Sequence, residues 1–285
     1  CHRFSELLIR YLQRYDHMRI THTPALNDIR PFIWANWQTR VRYTYQMDLS
    51  DLDALWERVE RRTRTAIRKA EKLGYTVIQT DDIELLCRQY GMIYERHGAA
   101  APISPEVVRR FVECAQSSGQ ARLLAAQSPQ GETASIVAFV EGPSMAYAWV
   151  AGADPQHNSS GATSLLYWRY FQQCTQPRFD FVGANLPAVA FFKRGLGGDL
   201  ISYYATEYFA TPWLRRAASF KRFLSERKGQ DFLNVYNWYP KGHEEVEKDH
   251  PWQQSKHLQH LRLLHWYKRV GNSRIAIPRK YKESY

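Results

Sequence analysis

Polar and apolar positions alternate from Arg40 to Leu49 in the run R-V-R-Y-T-Y-Q-M-D-L, and this period of two predicts a strand. Ser50 and Asp51 offer an N-cap, after which Trp56, Val59, Thr63, Ala66, Ile67, Ala70 and Leu73 recur at helical spacing. One long helix is expected there, closed by Gly74, with Arg61, Arg64, Arg68 and Lys72 on its outer side. Tyr75 to Gln79 reads as a strand, and Ile83 to His97 and Pro105 to Ser117 read as helices, the second with proline in its first turn. Ala121 to Gln127, Thr133 to Glu141 and Met145 to Ala151 are apolar runs of strand length separated by turns, which predicts an antiparallel meander. A turn over Asn158 to Ala162 opens a helix to about Cys174. A strand Phe179 to Val182, a short helix after Pro187 and a strand Ile201 to Phe209 follow. Beyond Pro212 come a basic helix to about Lys228 and an amphipathic stretch, Ser255 to Val270.

At 285 residues the chain is long enough for about two compact units with a large core. The pattern predicts an α/β (α+β) fold, mixed sheets flanked by helices. It divides into residues 1–118, 119–228 and a basic, aromatic appendage over 229–285. Hydrophobic residues at 44% and 14% aromatics exclude a disordered chain, and no apolar run approaches the ~18 residues of a membrane span. Cys1, Cys87, Cys114 and Cys174 form neither a C-x-x-C pair nor a disulfide ladder, which fits a cytoplasmic protein. The first residue is Cys rather than Met, in keeping with a missing upstream segment.

The net charge of +11 favours anionic partners. Trp56 to Lys72 holds seven basic residues against three Glu, and Trp266 to Tyr285 holds six against Glu283 alone. Such runs serve either as solvated helix faces or as contacts to nucleic acid or anionic lipid. The nucleophile elbow, the phosphate-binding P-loop and the zinc-protease helix are all absent, and His257, His260 and His265 are better read as solvent-facing than as metal ligands.

The chemistry concentrates between Tyr147 and Tyr204. A strand that ends in the small-residue turn Asn158, Ser159, Ser160, Gly161 and Ala162 presents helix N-terminal amides to an anion. The simpler account is that the polar residues cap the helix while Gly161 allows close packing. Asp180, between two Phe, is either a structural anchor or a tuned base. Lys193 precedes a glycine-rich turn and could neutralise a phosphate or an oxyanion. A period of two on the next strand would carry Tyr204, or Tyr203 with Glu207, toward the same cleft.

At these residues the sequence resembles the FemAB-like or BioF2-like acyltransferases, a branch of the GNAT acetyltransferase fold. The resemblance rests on Gly161 to Trp168 (G-A-x-x-L-L-x-W), Phe179 to Gly183 (F-D-F-x-G) and Phe192 to Gly198 (F-K-x-x-x-G-G), with Arg64 to Gly74 similar to the family's basic helix. It spans about residues 31 to 209 and implies two tandem GNAT-like lobes that transfer an acyl group to an amine. Relatives use acyl-thioesters such as acyl-CoA, or aminoacyl-tRNA. The GNAT pyrophosphate loop Q/R-x-x-G-x-G/A matches Asn158-x-x-Gly161-x-Thr163, which keeps the glycine and departs at the first and last positions. Phe192-Lys193 resembles the position of a lysine beside the aminoacyl-tRNA donor.

The expectation is therefore an N-acyltransferase using acyl-CoA as co-substrate, with no permanently bound cofactor and an amine acceptor. The alternatives are an aminoacyl-tRNA-dependent enzyme and a non-catalytic basic protein that binds nucleic acid or an anionic surface. Lys193, Asp180 and Tyr204 are the candidate catalytic residues. Asn158, Ser159, Ser160, Gly161 and Ala162 are the candidate donor site, and Arg64, Arg68, Phe192 and Glu207 the candidate substrate contacts, with no metal site.

Overall fold

The computed structural model describes residues 2–95, 101 and 103–220. The expected appendage over 229–285, with its histidines and basic end, lies outside them. The elements are α1 (His2–Leu12), β1 (His17–Thr21), α2 (Arg30–Trp34), β2 (Gln38–Asp48), α3 (Leu52–Arg58), α4 (Arg61–Lys72) and β3 (Thr76–Thr80). They continue with α5 (Ile83–Glu95), α6 (Pro105–Ser117), β4 (Ala121–Gln127), β5 (Thr133–Glu141), β6 (Ala146–Ala153), α7 (Ala162–Gln173), β7 (Arg178–Asp180), α8 (Pro187–Gly195) and β8 (Asp199–Phe209). The eight strands of the described residues join one mixed sheet in the order β1-β8-β2-β7-β6-β5-β4-β3. The meander β4-β5-β6 is antiparallel, while β6 and β7 run parallel. The two lobes expected on either side of residue 118 share this sheet: β3 pairs with β4, and β2 lies between β7 and β8.

The alternation of side chains sorts the sheet into two faces. On one face Met47, Phe139, Phe179 and Phe181 pack against Leu55 of α3, Ile67 of α4, and Leu166, Tyr170 and Phe171 of α7. Toward β1 the same face is covered by Ile9 of α1 and Phe32 of α2. On the other face Leu123, Ile136, Ala138 and Val150 meet Leu86 and Tyr90 of α5 and Val108 and Val112 of α6. The core is thus a three-layer one, helices on both sides of the sheet.

Two expectations need correcting. The basic stretch is not one helix, because the chain breaks at Val59, which is extended (φ −61, ψ 126). There the Glu60 amide donates to Gly195 O and the Arg64 guanidinium caps Trp56 O and Glu57 O, so a tertiary contact replaces the helical ladder. The strand expected over Phe179 to Val182 ends at Asp180, because Val182 adopts φ +54. Gly74 closes α4 with φ +80 as expected, and the Asp51 carboxylate caps α3 by accepting from the Ala54 amide.

Candidate active site

The site begins where the sheet splits. β6 and β7 share only the pairs Ala146 with Phe179 and Tyr147 with Asp180. Beyond them the chain stays with β2, the Phe181 amide donating to Tyr45 O and the Ala184 amide to Tyr43 O, and so leaves β6. Just past the split, Ala138 pairs with Val150 and Phe139 with Ala148, which makes Trp149 an extra residue on β6. A split edge and a bulge both free backbone groups from the ladder.

At the end of β7 a buried knot holds the turn 181–183. Asp180, 4% exposed, accepts from Thr44 Oγ1 (2.6 Å), Gln46 Nε2 (2.8 Å) and the Val182 amide (2.7 Å). Thr44 Oγ1 also accepts from the Gly183 amide at 3.0 Å. Lys193 Nζ donates to Phe181 O (2.7 Å) and Gly183 O (2.5 Å). Burial pushes its ammonium down to about 8, with the Asp180 carboxylate pulling the other way. Val182 is β-branched and left-handed, an unfavourable conformation that the surrounding bonds must enforce. A cavity of 180 Å³ opens over this knot, lined among others by Thr21, Thr44, Tyr147, Asp180, Gly183 and Tyr203.

After β6, the turn toward α7 is packed rather than open. Gly161 has φ +85, and a Cβ there would lie 2.1 Å from Ala66 O of α4. Ser160 is buried, its hydroxyl donating to His157 O and accepting from the Ala162 amide, and Lys69 Nζ holds Ser159 O at 2.7 Å. Asn158 and Ser159 are exposed, and the first-turn amides of Thr163 and Ser164 have no acceptor within the helix.

A third feature lies on the outer side of α4. Arg61, Arg64 and Arg68 join Trp56, Glu57 and Thr65 around a cleft of 440 Å³, with the Arg68 guanidinium 6.0 Å from the Trp56 ring.

A family model, the acetyltransferase (GNAT) domain, matches residues 57–194. This segment is a GNAT acetyltransferase domain. A comparison with curated protein sequences finds no match. Among solved structures the chain is similar to FemX (12% identity, TM-score 0.57, covering 75% of this chain and 80% of that one). It is also similar to the C-terminal domain of a putative lysylphosphatidylglycerol synthetase from Agrobacterium fabrum (10% identity, TM-score 0.52, 78% of each chain). A protein of unknown function from Bacteroides thetaiotaomicron matches with 12% identity and a TM-score of 0.52, over 70% of this chain and 75% of that one. These likenesses establish a shared fold, and the GNAT domain makes the chain an acyltransferase.

The GNAT domain contributes Tyr147, Asp180 and Lys193 to the site, while Thr44 and Gln46 come from β2 before it and Tyr203 from β8 after it. The structure brings Lys193 and Asp180 to the same turn, but the Lys193 ammonium, expected to meet a phosphate or an oxyanion, is engaged by Phe181 O and Gly183 O. Tyr203, not Tyr204, lines the cavity, because β8 places Tyr203 on the face of Thr44 and turns Tyr204 to the other. Glu207 shares the face of Tyr203 but lies further along β8, where His17 Nε2 meets it at 3.1 Å. Phe192 packs on Tyr167 in the core, with ring centroids 5.6 Å apart, rather than facing a substrate. Arg64 and Arg68 stand together at the outer cleft. Sequence reasoning missed Thr44, whose signal was a polar residue on the inward side of a strand otherwise flanked by aromatics, and Tyr147. His22 also borders the cavity, but its ring packs on Phe32 and bonds Thr206 Oγ1 at 2.8 Å within the α1–α2 side of the core.

Proposed function

We propose that this protein is an N-acyltransferase that takes its acyl group from an acyl-thioester of the acyl-CoA type and passes it to an amine bound over the Asp180 knot. The observation that carries this reading is the split between β6 and β7 beside the cavity of Thr44, Asp180 and Tyr203. An acyl chain laid along the freed edge of β6 would bring its carbonyl among unpaired backbone amides. Those amides could stabilise the oxyanion that forms as the amine nitrogen attacks the carbonyl carbon. Collapse of the tetrahedral intermediate then breaks the carbon–sulfur bond, expels the thiolate and releases the ammonium proton to water.

Asp180 acts in this scheme by shaping the turn, since its carboxylate already accepts three hydrogen bonds. Lys193 stiffens the same turn and places positive charge beneath it. The N-terminus of α7 beside Lys69 and the exposed Asn158 and Ser159 would meet the donor's phosphates.

A second reading replaces the thioester by aminoacyl-tRNA, whose ribose hydroxyl would then be the leaving group. It is favoured by the inward packing of Ser160 and Gly161, which narrows the usual phosphate loop, and by the cleft of Arg61, Arg64 and Arg68. Binding and single-turnover transfer measured with acetyl-CoA, longer acyl-CoAs and charged tRNA decide between them. Stabilisation of ~2.7 kcal/mol is expected from the true donor at 100 times its Kd. Indifference to every donor would overturn both readings.

A further inference from the structure

The polar face that carries the cavity continues across β2, β8 and β1. Arg40 and Arg42 share the face of Thr44 on β2. Arg42 lies opposite Tyr203, and Arg40 opposite Ala205, whose other neighbour is Thr21 of β1. One step further Arg19 lies opposite Glu207. Arg40 and Arg19 are exposed and Arg42 is half-buried. Among the described residues no carboxylate forms a salt bridge with any of the three. The carboxylates nearest in the register are engaged elsewhere, Asp180 by Thr44, Gln46 and the Val182 amide, and Glu207 by His17. The alanine at 205 keeps the floor between the arginines low.

Two residues of strand separate Arg42 from Thr44 by ~7 Å, the length of a small amine with an acid at its far end. We propose that the acceptor is an amine carrying an acidic group, phosphate or carboxylate, and that Arg40 and Arg42 bind that group. The inference rests on the cavity being the acceptor site of an N-acyltransferase. A guanidinium donates two parallel hydrogen bonds to either oxyanion, so the chemistry of recognition is shared and the acid must be identified by experiment.

The test uses three matched probes, phosphoethanolamine, β-alanine and ethanolamine, titrated calorimetrically into the full chain. At least one acid probe should bind at least tenfold more tightly than ethanolamine, and the stronger of the two names the acid. R40Q/R42Q should abolish the preference while R10Q/R14Q, which removes the same charge from α1 and the turn after it, keeps it. The single variants R40Q and R42Q serve if the pair fails to fold. Equal binding of all three probes, no binding of either acid, or a preference that survives R40Q/R42Q overturns the proposal. Acyl transfer to the same probes is measured separately. Acid preference without transfer keeps the arginine face and removes the N-acyltransferase reading, whereas transfer without preference removes the arginine face alone.

Discussion

The ammonium of Lys193 bonds the two carbonyl groups that flank Val182, those of Phe181 and Gly183, while the Val182 amide is held by Asp180. A lysine on α8 therefore sets the conformation of a residue in the turn after β7 that bounds the cavity. Replacing it by methionine should leave two carbonyls short of a donor, costing about 2–4 kcal/mol of stability, and should lower turnover by about a hundredfold. The pH dependence has a definite sign. Because the folded ammonium titrates near 8 and the unfolded one near 10.5, the unfolded chain holds more protons between those values. Stability of the wild type relative to Lys193→Met should rise from pH 8 to 10.5 and be lost as pH falls through 8. Chemical denaturation at pH 7, 8.5 and 10 checks this, and a flat difference would show that Lys193 is not buried as a cation.

Val182→Gly should separate strain from contact. The side chain is half exposed, so little burial is lost, and glycine accepts the left-handed backbone freely. After allowing for the extra freedom of the unfolded chain, a gain of up to ~1 kcal/mol is expected, together with a lower kcat as the turn loosens. Equal or lower stability than wild type would mean that the turn carries no strain.

Thr44 joins Asp180 to the Gly183 amide through one hydroxyl. Thr44→Val keeps the shape and removes both bonds, so it should cost about 2–4 kcal/mol and most of the activity, whereas Thr44→Ser should restore both. Thermal unfolding and kcat for the two variants read the difference. Equal behaviour of valine and serine would place the role in packing alone.

Gly161→Ala should destabilise by ~3 kcal/mol or more, since its Cβ would collide with Ala66 O at a backbone angle unsuited to side chains. Loss of donor binding at this position then reports a displaced α7. Asn158 and Ser159 are the cleaner probes of the donor, because substitutions there leave α4 and α7 packed.

From Arg40 onward the periodicity of the sequence disclosed the strands and helices, because each buried element shows one apolar side. The helix N-terminus at Ala162 and the meander were legible in local patterns, whereas the shared turn of Asp180 and Lys193 was not, since it depends on α8 packing under β7. The break at Val59 was not, since it depends on Gly195 and Arg194 reaching Glu60 from α8. Tyr203 and Tyr204 are chemically alike, and only the register of β8 against β2 selects between them. Before Arg40 no element was placed from the sequence: β1 and α2 have five residues each and rest on tertiary contacts such as Phe32 on Trp37, while the helical spacing of Ser5, Ile9 and Leu12 in α1 was overlooked. The partners of Thr44, the Asp180 carboxylate and the Gly183 amide, became visible only once β2 was placed beside β7, a long-range pairing that no window of sequence contains.

That placement bears on how the chain is made. β2 leaves the ribosome before any residue of the GNAT domain, yet its neighbours β7 and β8 are synthesised at the far end of that domain and beyond it. The strand bearing Thr44 must wait, unpaired on both edges, for its slot to exist, and folding should pass through a late insertion step. Cutting the chain back to the recognisable domain would take away β2 and β8 together. The remaining β7 would be left with its two-pair hold on β6, so the split between these strands cannot be transplanted as a free-standing module.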